Sequence, residues 1–249
     1  MTIPIGFERD GFVVLPEIIN PHRLRLVLNR IVGQAIYIGA RTPAERWGHV
    51  PNVDVCWRVL CDQSRDRAGL LYNAMKHDSE IKALSVDVGL LSWAGRLLGG
   101  AVAITDVNFR IDAPGENQYL FGWHQDHWYQ QTSPDAIVAW IPLMDCDDEV
   151  GGVELLPGRR LLKCKRNPES QPSYANLFLL DGDEDVDLSQ AVKVYPKAGD
   201  ALLFRFDVLH RSLPNVSMNR CRWTVQVRMV SMYDQHFMER GFRPTEVSR

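Results

Sequence analysis

The stretch Arg220-Cys221-Arg222-Trp223-Thr224-Val225-Gln226-Val227-Arg228-Met229 decides the fold class of this chain. Cys221, Trp223, Val225, Val227 and Met229 alternate with Arg220, Arg222, Thr224, Gln226 and Arg228. Strict apolar/polar alternation marks a strand with two unlike faces. One face is expected to enter a core, and the other either walls a site or meets solvent. Arg228 is assigned to solvent.

Outward from this strand, the pattern repeats in shorter pieces. Ala101 to Ile111 alternates, and Ala136 to Leu143 is an apolar run that reads as a buried strand ending at Pro142. Gly151-Gly152 precedes Val153 to Leu156, and Pro157-Gly158 follows as a turn. Val192 to Tyr195 alternates, and Ala198-Gly199-Asp200 turns the chain into Ala201 to Phe206. Short strands punctuated by Gly and Pro predict a sandwich or barrel. The first hundred residues differ. Asn20-Pro21 is a helix start, since Asn caps and Pro suits the first turn. Leu24, Val27, Leu28, Ile31, Val32 and Ala35 follow at helical spacing. A second helix is expected between Asp66 and Met75. A third is expected from Asp78-Ser79 through Leu98, stopped by Gly99-Gly100. The expectation is one mainly β (α+β) domain over residues 1–249, with a helical buttress at 1–100 and a strand-built core at 101–235.

Composition narrows the class. With 28 Lys plus Arg against 31 Asp plus Glu, the net charge of −3 lacks the bulk positive charge that drives non-specific nucleic-acid binding. No apolar run approaches the roughly 20 residues of a membrane span, and no secretory leader is read at the N-terminus. The five cysteines form no CxxC pair, so reduced thiols and a cytoplasmic location are expected. No nucleic-acid or membrane partner is expected. A small-molecule substrate is, for a monomer or homodimer.

The chemistry concentrates in Gly122-Trp123-His124-Gln125-Asp126-His127-Trp128-Tyr129. On an extended strand His124 and Asp126 share a face, so an imidazole nitrogen and a carboxylate oxygen can converge on one ion. Two histidines and one carboxylate, with open positions opposite, form the ligand set of non-haem Fe(II) oxygenases. His127 competes as a ligand, although its spacing from His124 suits a helix. His210 closes the apolar run from Ala201 and is the candidate distant histidine, with a core histidine as the bland alternative. Tyr119, Trp128 and Tyr129 are either substrate walls or core. The acidic run Asp181 to Asp187 fails the calcium-loop rule, which puts Gly sixth and Glu twelfth where this chain has Val186 and Val192. It reads as a solvated loop. The basic cluster Arg159 to Arg166 reads as a solvated face or as an attractor of anions.

Taken together, the motifs resemble the phytanoyl-CoA dioxygenase family of Fe(II)/2-oxoglutarate-dependent oxygenases. The matching pieces, in order, are Trp123-His124-Gln125-Asp126-His127, Trp140-Ile141-Pro142-Leu143, Gly151 to Gly158, Gly199-Asp200, His210-x-Ser212-x-x-Asn215 and Arg222-Trp223. The opening Phe7 to Leu15 is also similar. The resemblance implies a double-stranded β-helix (jelly-roll, cupin-like) core with N-terminal flanking helices. It implies Fe(II) on His124, Asp126 and His210, with 2-oxoglutarate as co-substrate and O2 as oxidant. Arg222 would hold the distal carboxylate of 2-oxoglutarate, with Ser212 and Trp140 in the same pocket and Asn108 and Arg110 nearby. The family's arginine position falls on Cys221, and arginines flank it. Trp223 and the strand phase favour Arg222, with Arg220 as runner-up. The implied reaction is hydroxylation of an unactivated C–H bond in a small, polar or anionic biosynthetic metabolite, releasing succinate and CO2. The same ligands also serve desaturation or cyclisation, and a non-catalytic jelly-roll binding protein is the contrasting class.

Overall fold

A computed structural model describes residues 5–41, 52–130, 132–166, 178–180 and 186–244. The acidic run at 181–187 lies largely outside them. The strands are β1 (Phe12–Leu15), β2 (Val102–Asp112), β3 (Ile137–Pro142), β4 (Val153–Leu155), β5 (Cys164–Arg166), β6 (Phe178–Leu180), β7 (Val192–Val194), β8 (Ala201–Arg205), β9 (His210–Ser212) and β10 (Arg222–Ser231). The helices are α1 (Ile5–Asp10), α2 (Pro21–Ile38), α3 (Val53–Gln63), α4 (Arg65–Met75), α5 (Ser79–Leu84), α6 (Val88–Leu97) and α7 (Gln235–Glu239).

The larger sheet has the order β1-β8-β3-β10-β2, and the smaller has β7-β4-β9. Every pairing in both is antiparallel. The two sheets face each other as a jelly-roll. Side chains alternate across each strand, and the burial follows that alternation. Trp223, Val225, Val227 and Met229 of β10 join Phe109, Ile141 and Leu203 in a core shared with the helices. Val138, Trp140, Leu202 and Phe204 turn the other way and meet Val153 and Leu155 of the smaller sheet. Strands β3 and β8 are buried on both faces, which is why their sequences run apolar without alternation.

Several expectations are corrected. The segment from Ser79 to Leu98 is two helices, because Asp87 accepts from the amides of Gly89 and Leu90 and starts a new one. Such a side-chain cap satisfies amides that an uninterrupted helix would not leave free. Helices α1 and α3 have no counterpart in the sequence reading. The N-terminal hundred residues also give a strand to the larger sheet, with Phe12 opposite Phe204. Asn20 caps α2 as expected, accepting from the His22 amide.

A buried polar contact joins the helices to the sheet alongside apolar area. Buried Asp54 of α3 accepts from the Trp223 indole at 2.6 Å and from the Cys221 amide at 3.0 Å. The Trp223 ring meets Trp57 edge-on, with centroids 6.1 Å apart. Among the described residues no cysteine is in a disulfide, and no described helix is long and apolar enough to cross a membrane. Asp54→Ala orphans two buried donors at the site where β10 enters the sheet. Each lost bond to a charged group costs about 1.5–3 kcal/mol, so chemical denaturation should show a loss of about 3–6 kcal/mol.

Candidate active site

His124 and His210 are joined through their backbones before their side chains meet. The His124 amide donates to the His210 carbonyl at 2.9 Å, and the His210 amide donates back at 3.0 Å. They form an isolated antiparallel bridge, and their ring centroids lie 4.2 Å apart. The expectation of an extended strand through Asp126 is corrected here. Only His124 pairs as a strand residue, and Asp126 opens a 3-10 turn spanning Asp126–Trp128. The carboxylate nevertheless comes back beside the imidazole, with Asp126 Oδ1 3.6 Å from His124 Nε2. One ligand atom from each of His124, Asp126 and His210 lies within 4.8 Å of the others, and all three residues are buried.

The tautomers follow from the partners. His124 Nδ1 lies 2.7 Å from the Gly122 carbonyl, and His210 Nδ1 lies 3.0 Å from the Val208 carbonyl. A carbonyl only accepts, so each Nδ1 carries a proton and Nε2 is the atom left to face a metal. Burial, helped by the neighbouring His124, pushes the His210 pKa down to about 3. The donor set is thus two imidazoles and one carboxylate, the borderline set that takes Fe(II) and its divalent competitors. His127 is packed against Trp128 and His236 instead.

Arg228 is the largest departure from the sequence reading. It is no solvent residue. Its side chain is 12% exposed, and its Nε donates to Asp126 Oδ2 at 3.2 Å while Nη1 pairs with Asp106 at 2.8 Å. The two Asp126 oxygens therefore face different partners, Oδ1 toward the imidazoles and Oδ2 toward the guanidinium. Burial opposes ionisation of Asp126, but Arg228 and the histidines hold its carboxyl far below the usual range. Strand alternation allowed both readings of β10's polar face. Only the closure of the second sheet over that face excludes solvent from it.

The cavity at the triad is lined by Asn108 and Arg110 from β2, Trp140 from β3, Ser212 from β9, and Gln226 and Arg228 from β10. The expected residues Asn108, Arg110, Trp140 and Ser212 are therefore brought together. Arg222 does not reach that lining. It is 2% exposed in its side chain, and its Nη2 meets Asp112 Oδ2 at 3.0 Å. Its Nη1 donates to the carbonyls of Leu213 at 2.7 Å and Gly152 at 3.3 Å, one residue beyond Ser212 and Val153 of the wall. Arg110 binds the other Asp112 oxygen at 2.8 Å. Burial opposes ionisation of Asp112, but Arg110 and Arg222 keep its carboxyl below the usual range. Two guanidinium groups thus share one carboxylate. Arg220 stands apart, its fork held by Asp147 and Glu149 at 2.8 Å each.

Tyr129 packs edge-on against His124 and Phe121, and Tyr119 lines the outer cavity described below. In the basic cluster, Arg159 pairs with Asp135 and Asp207.

Other motif residues hold the frame. Gln125 is fully buried. Its side chain donates to the carbonyls of Asp207 and Arg160 and accepts from the Leu162 amide. It thereby locks the loop that leads into His210. Asn215 donates to the carbonyls of Asp112 and Arg220. Gly151 sits at φ 79°, and a Cβ there would lie 2.5 Å from the Pro214 carbonyl oxygen and 2.7 Å from Arg222 Nη1.

The model of the phytanoyl-CoA dioxygenase (PhyH) family matches residues 7–222. The chain belongs to that family. A 1-deoxypentalenic acid 11-beta-hydroxylase of Streptomyces exfoliatus is 28% identical over 136 residues, 50% of this chain and 47% of the relative. The chain thus spans about half the length of that curated relative. An L-proline trans-4-hydroxylase of Streptomyces griseoviridis is 23% identical over 235 residues, covering 87% of this chain and 81% of the relative. Among solved structures, the epimerase SnoN in complex with Fe3+, alpha ketoglutarate and nogalamycin RO superposes with TM-score 0.62 at 15% identity. That superposition covers 91% of this chain and 81% of SnoN. It shows a shared fold.

Supporting groups that orient metal ligands are commonly worth about 10–100-fold in metal affinity. Arg228→Met should therefore weaken Co(II) binding by about that range, read from the ligand-field absorption of the loaded protein. The same substitution should leave the far-ultraviolet dichroism of the fold in place.

Proposed function

We propose that the chain is an Fe(II)- and 2-oxoglutarate-dependent dioxygenase that hydroxylates an unactivated C–H bond of a small anionic metabolite, releasing succinate and CO2. The observation that carries this reading is the convergence of His124 Nε2, Asp126 and His210 in a buried pocket whose other wall is cationic. Membership of the family and the two hydroxylase relatives support it.

In this reading His124, Asp126 and His210 hold iron through Nε2, Oδ1 and Nε2. When bound, iron with 2-oxoglutarate supplies the coupled decarboxylation and O2 reduction that oxidise a C–H bond. The chain's own part is positioning, charge and exclusion of water. Arg228 holds Asp126 Oδ2, which leaves Oδ1 as the atom turned to the histidines. Arg110 and Arg222 together exceed Asp112 by one positive charge. That excess is suited to the distal carboxylate of 2-oxoglutarate, beside the Ser212 hydroxyl and the Trp140 ring. Arginine matches a carboxylate with a planar fork that stays ionised. Phe204 packs on the His210 ring at 4.5 Å and Phe121 on the His124 ring at 5.1 Å, which keeps the approach to the triad apolar.

The test is anaerobic addition of Fe(II) and 2-oxoglutarate, read as the weak visible charge-transfer band of the chelate. Wild type should show the band and Asp126→Ala should lose it. No band in wild type, or an unchanged band in the variant, overturns the reading. Arg222 does not line the pocket, so its charge is felt through Asp112 and Arg110; leaving that cluster neutral instead of cationic should raise the 2-oxoglutarate requirement about tenfold in Arg222→Ala. Asp112 keeps Arg110 in that variant, so no buried carboxylate is orphaned. Arg220→Ala should change the requirement less than about twofold, as befits a surface ion pair. The reverse ranking would sink the assignment of Arg222.

A further inference from the structure

A second, larger cavity of 420 Å3 adjoins the triad pocket and shares Asn108, Arg110 and Phe121 with it. Its roof is one face of α4. Arg65, Gly69, Tyr72 and Lys76 line it, and their spacing of four, three and four places them in one stripe along the helix. The volume lies in the range of roughly 300–1,000 Å3 typical of sites for small organic ligands.

Two properties of this space select a ligand. The first is charge. The lining holds three cations, Arg65, Lys76 and Arg110, against one anion, Glu116. Glu116 is taken by Arg65 at 2.6 Å, and Arg110 shares Asp112 with Arg222. Lys76 has no carboxylate partner among the described residues. Its ammonium rests over the Tyr72 ring, 4.0 Å from the centroid. The second property is an aromatic wall, made by Trp57, Tyr72, Tyr119 and Phe121. Arg65 stacks on both Trp57 and Tyr119, which holds those rings in place. Gly69 keeps the centre of the roof open, since a Cβ built there meets nothing within 4 Å. A glycine inside a helix costs about 0.5–1 kcal/mol relative to alanine, and at this position it yields room for a ligand.

We propose that this cavity binds the substrate and that its substrate is a carboxylic acid with a compact apolar ring body. The carboxylate is taken by Lys76, and the ring lies between the aromatic wall and Gly69. Lys76 is then the residue that determines specificity for the acid. This inference rests on the dioxygenase reading only for the word substrate; the binding site stands on its own cavity and charges.

The experiment uses the full chain with Fe(II) and saturating 2-oxoglutarate under nitrogen, with 2-naphthoate, methyl 2-naphthoate and 2-naphthylmethylammonium as probes. Binding is followed by ligand-observed NMR. One charge-assisted pair is worth roughly tenfold, so naphthoate should bind about tenfold more tightly than its methyl ester. Lys76→Met should bring naphthoate down to the level of the ester and leave the ester unchanged. Lys76→Glu should reverse the preference toward the ammonium probe. Gly69→Leu should abolish binding of all three probes while raising the melting temperature, because leucine fills the roof and is the better helix former. Equal binding of acid and ester by wild type, an acid preference that survives Lys76→Met, or full binding by Gly69→Leu overturns the proposal. The chelate band is recorded on the same samples. Acid preference without the band would sink the dioxygenase reading and leave the pocket standing. The band without acid preference would sink the pocket alone.

Discussion

Everything at this site depends on the backbone pairing of His124 with His210. Two reciprocal hydrogen bonds fasten an irregular loop to the first residue of β9. Main-chain geometry thus brings two histidines far apart in sequence side by side. Their rings are then fixed by carbonyls of Gly122 and Val208. Gln125, between the two ligands of the first motif, fastens the Asp207 side of the same junction. The three side chains are thus placed by main-chain hydrogen bonds and by the Gln125 amide.

The second governing constraint is the burial of charge on the inner face of β10. Arg222 and Arg228 both project from a strand with apolar cores on either side, and neither is unpaired. A buried guanidinium without a partner carries a heavy desolvation penalty. Asp112 and Asp126 offset it at the two ends of the strand. One pair holds the Asp126 carboxylate beside the two histidines, and the other sits beside the wall of the cavity. The same polar residues that would weaken a core are here held apart by Thr224 and Gln226, each facing the interior in register with β2 and β3.

Much of this was legible in the residues. Alternation in β10 is a local property, and the strand follows it. The Asn20 cap and the positions of β3, β4 and β8 are also local. The two helices of residues 79–97 were not separated, because an apolar stripe continues across Asp87 and only its side-chain cap shows the break. The role of Arg228 was not legible, because alternation states that two faces differ without stating what covers each. The commitment of Arg222 to Asp112 is likewise invisible, since those residues lie on different strands brought into register only by pairing. Gln125 could have drawn notice as an amide between two candidate ligands, where a structural role for the intervening side chain is a natural question. Family likeness placed the triad and the jelly-roll, whereas packing placed the charges.

Helix α4 serves two masters with adjacent residues. Ala68, Leu71 and Met75 are buried in the helical core, and Gly69, Tyr72 and Lys76, each one step further along, face the cavity. One residue turns a helix by about 100°, so core and cavity faces cannot be adjusted independently by sliding or rotating the helix. Side chains on the cavity stripe can be exchanged freely, whereas an insertion or deletion within α4 would scramble stability and recognition in a single event. Diversification of the ligand proposed for this cavity is therefore expected to proceed by substitution along one stripe, with the length of the helix held constant.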